Sequence, residues 1–212
     1  MDVYSFFNSS TSYRVRIALA LKGVDANVLP VNIRVQEHKA PDFVAKNPAA
    51  SVPLLDDGGF QLGQSLAIID YLDARYPEPR LIPQAAQARA RVLEMAYLIA
   101  CDMHPVNNLR VLRYLVKELG VSDAAKNAWY AHWIAEGFSS LEQLLAKADA
   151  GQFCFGEHVS LADCCLVPQV ANAQRMGCDL SAYPRVMAVF EHCASLPAFV
   201  QAAPAQQPDY QP

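Results

Sequence analysis

Ser9-Ser10-Thr11-Ser12-Tyr13-Arg14-Val15-Arg16-Ile17-Ala18-Leu19 decides how this chain is read. Four consecutive hydroxyl residues follow the short apolar run Val3-Tyr4-Ser5-Phe6-Phe7 and open an amphipathic segment that Gly23 stops, so they stand where a strand turns into a helix. The first turn of a helix carries unpaired N–H groups and a partial positive charge. With several hydroxyl donors beside it, that end favours an anion such as a thiolate. The same residues also fit an ordinary N-cap at Ser10 or Thr11, and the local sequence leaves both readings open.

Around this turn the hydrophobic period changes several times over a short distance, as it does in an α/β unit. A strand over 3–7 leads to a helix over 12–22, and Asn27-Val28-Leu29-Pro30-Val31-Asn32-Ile33 reads as a second strand that Pro30 places at a sheet edge. A short helix over 41–47 is ended by Pro48. Val52-Pro53-Leu54-Leu55-Asp56, the turn Asp57-Gly58-Gly59 and Phe60-Gln61-Leu62 make a hairpin, and Gln64-Ser65 opens a helix to Tyr76. The order is βαβαββα. Pro77, Pro79 and Pro83 mark a linker, after which helices are predicted over 86–118, 123–149, 161–176 and 184–195. Ser160-Leu161-Ala162-Asp163 has the form of a capping box. The tail, with Pro204, Pro208 and Pro212, is expected to be poorly ordered or draped on the surface.

With 53% hydrophobic and 18% charged residues among 212, the chain can bury a core as one large or two small domains. Lys plus Arg total 17 against 21 for Asp plus Glu, a formal charge of −4, which gives no general attraction to nucleic acid or an anionic membrane. An anionic substrate must be met by local basic groups. Met1-Asp2-Val3-Tyr4 lacks the basic and apolar regions of a signal peptide and no apolar run reaches transmembrane length, so a cytoplasmic protein is expected. Cys101, Cys154, Cys164, Cys165, Cys178 and Cys193 show no C-x-x-C spacing and read as buried thiols rather than disulfides or metal ligands. No nucleotide-binding, zincin or serine-hydrolase motif is present.

Val52-Pro53 begins a strand beside the candidate anion site, where an extended peptide can pair with Val52 as a further strand; a plain edge proline is the simpler alternative. Gln64-Ser65 repeats the logic of the first helix start, since Ser65 either caps or holds a carboxylate together with the free amides. A βαβαββα unit with these three features, joined to an all-helical part, resembles the glutathione transferases. The resemblance narrows to the zeta class, which includes the maleylacetoacetate and maleylpyruvate isomerases. The stretches that carry it are Ser9 to Gly23, Asn47-Pro48, Gln64-Ser65-Leu66-Ala67-Ile68-Ile69 and Leu161-Ala162-Asp163-Cys164-Cys165-Leu166-Val167-Pro168-Gln169-Val170-Ala171-Asn172-Ala173. It covers nearly the whole chain. It implies an α+β two-domain fold, with a thioredoxin-like, glutathione-binding βαβαββα domain over 1–80 and an all-helical, substrate-binding domain over 86–212. It also implies a homodimer.

Carried over by position, the resemblance puts Ser9, Ser10 and Thr11 at the glutathione sulfur, with Thr11 where the family signature has cysteine. It pairs the peptide backbone of glutathione with Val52, sets its glutamyl end at Gln64 and Ser65, and adds His38, His104 and Asn108 as further glutathione contacts. Arg110 and Arg175 fall where the resemblance implies substrate carboxylate contacts, although by residue type each also fits a solvated surface arginine. Asn8 stands where the family has an arginine before Ser-Ser, which removes a bidentate partner for a dicarboxylate at the substrate end. The implied reaction is cis–trans isomerisation of an unsaturated diketo acid: thiolate addition makes the conjugated double bond single, rotation follows, and elimination restores the trans alkene and glutathione. Conjugation or dehalogenation of small haloacids, and a transferase-like scaffold without turnover, are the alternatives.

Overall fold

The computed structural model describes residues 1–148 and 150–211; Asp149, where the helix predicted over 123–149 ends, and Pro212 of the tail lie outside the described residues. The chain forms two units. One comprises Met1–Leu81 with the segment from Ser195 onward, the other Ile82–Ala194.

The first unit follows the predicted βαβαββα order: β1 Asp2–Ser5, α1 Ser10–Leu21, β2 Asn27–Pro30, α2 Pro41–Lys46, β3 Leu54–Asp57, β4 Phe60–Gly63 and α3 Ser65–Arg75. The sheet order is β2-β1-β3-β4, with β1 and β2 parallel and the other neighbours antiparallel. Pro30 sits on the edge strand, as its missing N–H requires. Gly58 and Gly59 take positive φ in the β3–β4 turn, which suits them to that corner. Val15, Ile17, Ala18 and Leu19 of α1 and Ile68, Ile69 and Leu72 of α3 are buried, and Phe6, Phe7, Val31, Phe43, Val52 and Leu54 form one further apolar cluster.

The tail lies against the first unit, the draped form of its expectation, and a short helix precedes it. After α9, Pro184–Ser195, the short helix α10, Pro197–Ala202, packs on α1 with Phe199 and Ala202 buried. Farther on, Asp209 Oδ2 accepts the Phe7 amide at 2.9 Å and the Tyr210 ring meets Phe7 edge-on. Sequence reading put 86–212 in one domain; the contacts made by Phe199, Ala202 and Asp209 attach the end of the chain to the first unit instead.

In the second unit the predicted continuous helix over 86–118 is broken. α4, Ala86–Tyr97, runs into a π-helical turn, Leu98–Met103, then one turn α5, His104–Val106, and a separate α6, Leu109–Lys117. Pro105 has no N–H to continue the α-helical ladder, and Asn108, extended at φ −67° and ψ 148°, restarts the chain as the N-cap of α6. Gly137, on α7 Asp123–Lys147, leaves room for the wide turn: a Cβ there would lie 2.1 Å from Met103 Cγ. α8, Leu161–Arg175, begins with the predicted capping box, in which Asp163 Oδ2 accepts Ser160 N at 2.7 Å and Ser160 Oγ at 2.8 Å. Burial pushes the Asp163 carboxyl up, and these bonds oppose it. Cys154, Cys164, Cys165 and Cys193 are buried free thiols as expected, whereas Cys101 is exposed.

Candidate active site

Ser9, not Ser10 or Thr11, is the N-cap of α1. Its backbone is extended, its carbonyl accepts Tyr13 N at 2.9 Å, and its Oγ accepts Ser12 N at 3.2 Å. The Ser9 and Thr11 hydroxyls lie 2.9 Å apart, and Thr11 Oγ1 donates to the Val52 carbonyl at 3.0 Å. Each hydroxyl has one proton, so a Thr11 that donates to Val52 accepts from Ser9. A directed chain therefore runs from Ser12 N–H through Ser9 and Thr11 to Val52. Thr11 fastens α1 to the loop before β3, while Ser9 can turn its proton to a ligand without undoing that link. Among the described residues the Ser10 hydroxyl has no partner, and neither do the Ser10 and Thr11 amides.

Val52 lies outside the strand ladder, before a cis peptide bond to Pro53. Its carbonyl takes Thr11, and its amide has no acceptor among the described residues. The preceding loop is shaped by buried Asn47, whose Nδ2 donates to Ser51 O at 2.7 Å and whose Oδ1 accepts Ala49 N at 3.2 Å. Gly63 of β4 permits this, because a Cβ there would come 3.3 Å from Asn47 Oδ1.

At the start of α3, Gln64 is the N-cap with φ 67° and makes no side-chain cap. Ser65 occupies the first helical position, its Oγ accepting from Arg14 Nη1 at 3.4 Å. The amides of Ser65 and Leu66 have no acceptor among the described residues. His38 is half-buried in a single 3₁₀ turn, Glu37–Lys39.

The β1–α1 loop is held from behind. Arg16 donates Nε to Ala202 O at 2.9 Å, Nη1 to Ser5 Oγ at 3.0 Å and Nη2 to Phe7 O at 3.0 Å. Burial pulls its guanidinium down to about 10, against the influence of Tyr13 and Asp209. Tyr13, whose hydroxyl donates to Phe199 O, is pushed up to about 12, chiefly by burial. Asn8 follows this braced segment and is half-buried.

In the second unit His104 and Asn108 are neighbours, Asn108 Nδ2 lying 3.4 Å from His104 Nε2. Asn108 Oδ1 caps α6 through Arg110 N at 3.1 Å. The Arg110 and Arg175 side chains are exposed, Arg175 bonding Asn172 Oδ1 one turn earlier. Among the described residues no His, Cys, Asp and Glu group could hold a metal ion, and no helix is long and apolar enough to cross a membrane.

Two family models match: the glutathione S-transferase N-terminal domain over residues 1–74 and its C-terminal domain over 127–192. A maleylpyruvate isomerase from Ralstonia sp. is 48% identical over 210 residues, covering 99% of both chains. A solved structure described as the holo form of maleyl pyruvate isomerase, a bacterial zeta-class glutathione S-transferase, superposes with a TM-score of 0.97 at 48% identity over all of both chains. This chain belongs to the zeta class of the glutathione S-transferases. A third family member, a maleylacetoacetate isomerase from Methylobacterium extorquens AM1 solved with bound malonate and GSH, shows a TM-score of 0.93 at 36% identity, again over all of both chains.

Within this zeta-class fold, the first unit brings Ser9, Thr11 and Val52 into one hydrogen-bonded assembly, and the second joins His104 to Asn108. Sequence reading missed Arg14, Arg16, Asn47 and Asp209 as supports of these segments. Asn47-Pro48 offered a local signal, an Asx turn before a loop. A bond such as Asp209 to Phe7, spanning 202 residues, leaves no local signal.

Proposed function

We propose that this chain is a glutathione-dependent cis–trans isomerase of maleylpyruvate or maleylacetoacetate. The observation that carries the chemistry is the start of α1, where the Ser10 and Thr11 amides and the Ser9 and Ser10 hydroxyls can receive a thiolate. Bound glutathione supplies a thiol whose reversible addition gives the conjugated double bond single-bond character. The protein holds that thiol ionised: the helix start and a serine hydroxyl draw its pKa below the ordinary thiol value of about 8.5. Ser9 is the principal donor, since its cap bond from Ser12 stays in place when its proton turns to sulfur. Thr11 is an anchor rather than a donor.

The Val52 amide and the Ser65 end of α3 fit the peptide backbone and glutamyl carboxylate of glutathione, with Gln64, His38, His104 and Asn108 as further contacts. Arg110 and Arg175 hold substrate carboxylates, and their exposure lets water and substrate exchange there. Asn8 leaves the substrate end one cation short of the family pattern. The same reading implies a cytoplasmic homodimer, for which sedimentation should give about twice the chain mass of 23.3 kDa.

The deciding test follows maleylpyruvate absorbance with and without glutathione. Loss of the cis isomer only in the presence of glutathione, which is not consumed, is the expected result. Stoichiometric glutathione consumption, or halide release from a chloroacetate with no isomerisation, would replace the reading by conjugation or dehalogenation. No turnover of any of these substrates would leave a scaffold.

A further inference from the structure

Two cations on α1, and a third at its C-cap, have buried side chains, and two of the three are fully engaged. Lys22 Nζ meets Asp73 Oδ1 at 2.9 Å, Tyr76 O at 2.6 Å and Pro79 O at 2.9 Å. Arg16 reaches three carbonyls and a hydroxyl. Arg14 is different. It is 1% exposed, yet among the described residues its one bond is the 3.4 Å contact from Nη1 to Ser65 Oγ, and both Nε and Nη2 are buried with no partner there. A buried guanidinium without a carboxylate is among the costliest arrangements a fold can keep. Its position faces the N-terminal turn of α3, where the Ser65 and Leu66 amides also lack acceptors among the described residues. Two independent features, a helix start and an underbonded buried cation, thus converge on Ser65.

We propose that Arg14 is the positioning residue for the glutamyl α-carboxylate of glutathione, acting through Ser65. By donating to Ser65 Oγ, Arg14 fixes the hydroxyl so that its own proton points to the carboxylate, and the guanidinium charge makes the potential there more positive from behind the helix start, which stabilises the anion. Lysine at this position can supply the charge but not the planar fork, and an apolar residue supplies neither. The apo protein carries the cost of the underbonded cation, and the bound carboxylate relieves it. This inference rests on the glutathione reading above and adds the group that sets affinity for one end of that ligand.

The test compares wild type, Arg14→Met and Arg14→Lys by calorimetry, with glutathione and with an analogue bearing a carboxamide in place of the glutamyl α-carboxylate. Thermal unfolding of the ligand-free proteins runs alongside. Wild type is expected to bind the carboxamide at least about tenfold more weakly than glutathione. Arg14→Met should bind glutathione about as weakly as wild type binds the carboxamide and should no longer distinguish the two, with an apo Tm equal to or above that of wild type. Arg14→Lys should retain part of the discrimination, which covers the case in which the methionine variant does not fold. Undiminished discrimination in both variants would overturn the role of Arg14 while leaving glutathione binding intact. So would a lower apo Tm with unchanged discrimination, the signature of a structural arginine. Equal binding of both probes by wild type would remove the carboxylate from Ser65 and the proposal with it. No binding of glutathione at all would instead overturn the reading on which the proposal rests.

Discussion

The groups proposed for glutathione and those proposed for the substrate are built in opposite ways. Thr11, Val52 and Ser65 are held by bonds to segments distant in sequence, with Ser9 bonded in turn to Thr11, and the four are largely buried, whereas Arg110 and Arg175 are exposed side chains on helices of the other unit. One set is preorganised before any ligand arrives, and the other retains rotamer freedom that binding must remove. A cosubstrate common to a family can be met by a rigid site, while substrates of differing length call for an adaptable one.

Replacing Ser9 should break the rigid side most severely. Ser9→Ala removes the cap of α1 and the principal donor to the thiolate, and a charge-assisted bond is worth about 1.5–3 kcal/mol. Thiolate absorbance titrated against pH should place the bound thiol roughly one to two pKa units higher. The direction for activity follows. With the thiol pKa raised, the ionised fraction near neutral pH falls, so the rising limb of kcat/KM moves to higher pH. An unmoved limb would assign the thiolate to the Ser10 and Thr11 amides or to the Ser10 hydroxyl.

The adaptable side should yield less. Arg175→Ala and Arg110→Ala are each expected to lower kcat/KM for maleylpyruvate by about tenfold, equivalent to about 1.4 kcal/mol, between a desolvated carboxylate contact and a rim charge. Near wild-type kinetics in both variants would return the arginines to the solvated surface. Thr11→Val separates anchoring from ionisation: glutathione KM should rise by about threefold to tenfold, while the bound thiol pKa moves by less than about half a unit. A shift as large as that of Ser9→Ala would make Thr11 a donor after all. Smallest is Asn8→Arg, expected to lower KM for a dicarboxylate by about twofold to threefold and to leave a monocarboxylate nearly unchanged, as measured by steady-state kinetics.

The same contrast governs what could be read in advance. The βαβαββα order was legible because strand, turn and cap signals are local, as with Pro30 at the sheet edge and Asp163 in its capping box. The break in 86–118 was partly legible: Pro105 lies inside the predicted helix and Asn107-Asn108 is a cap signal, yet the apolar periodicity on both sides favours continuity. At the site, the hydroxyl cluster marked the right turn but not which hydroxyl does what. That depends on Val52, 41 residues from Thr11 and joined to it only in three dimensions. Arg14 looked like one more residue of an amphipathic helix, since the sequence does not reveal that, among the described residues, its neighbours leave two of its nitrogens without acceptors.

The Asp209 clasp on Phe7 gives vectorial synthesis a particular meaning for this chain. The unit that contains β1 and α1 cannot be finished until residues 195–209 have been made, because α10 must cover α1, Ala202 must offer its carbonyl to Arg16, and Asp209 must take the amide next to Asn8. Until then the turn that carries Ser9 and Ser10 lacks its backing. The helical unit, Ile82–Ala194, stands between the two parts of its neighbour in the sequence and so is made before the second of them. The turn that carries Ser9 and Ser10 therefore completes its backing only after the whole of Ile82–Ala194 has been made.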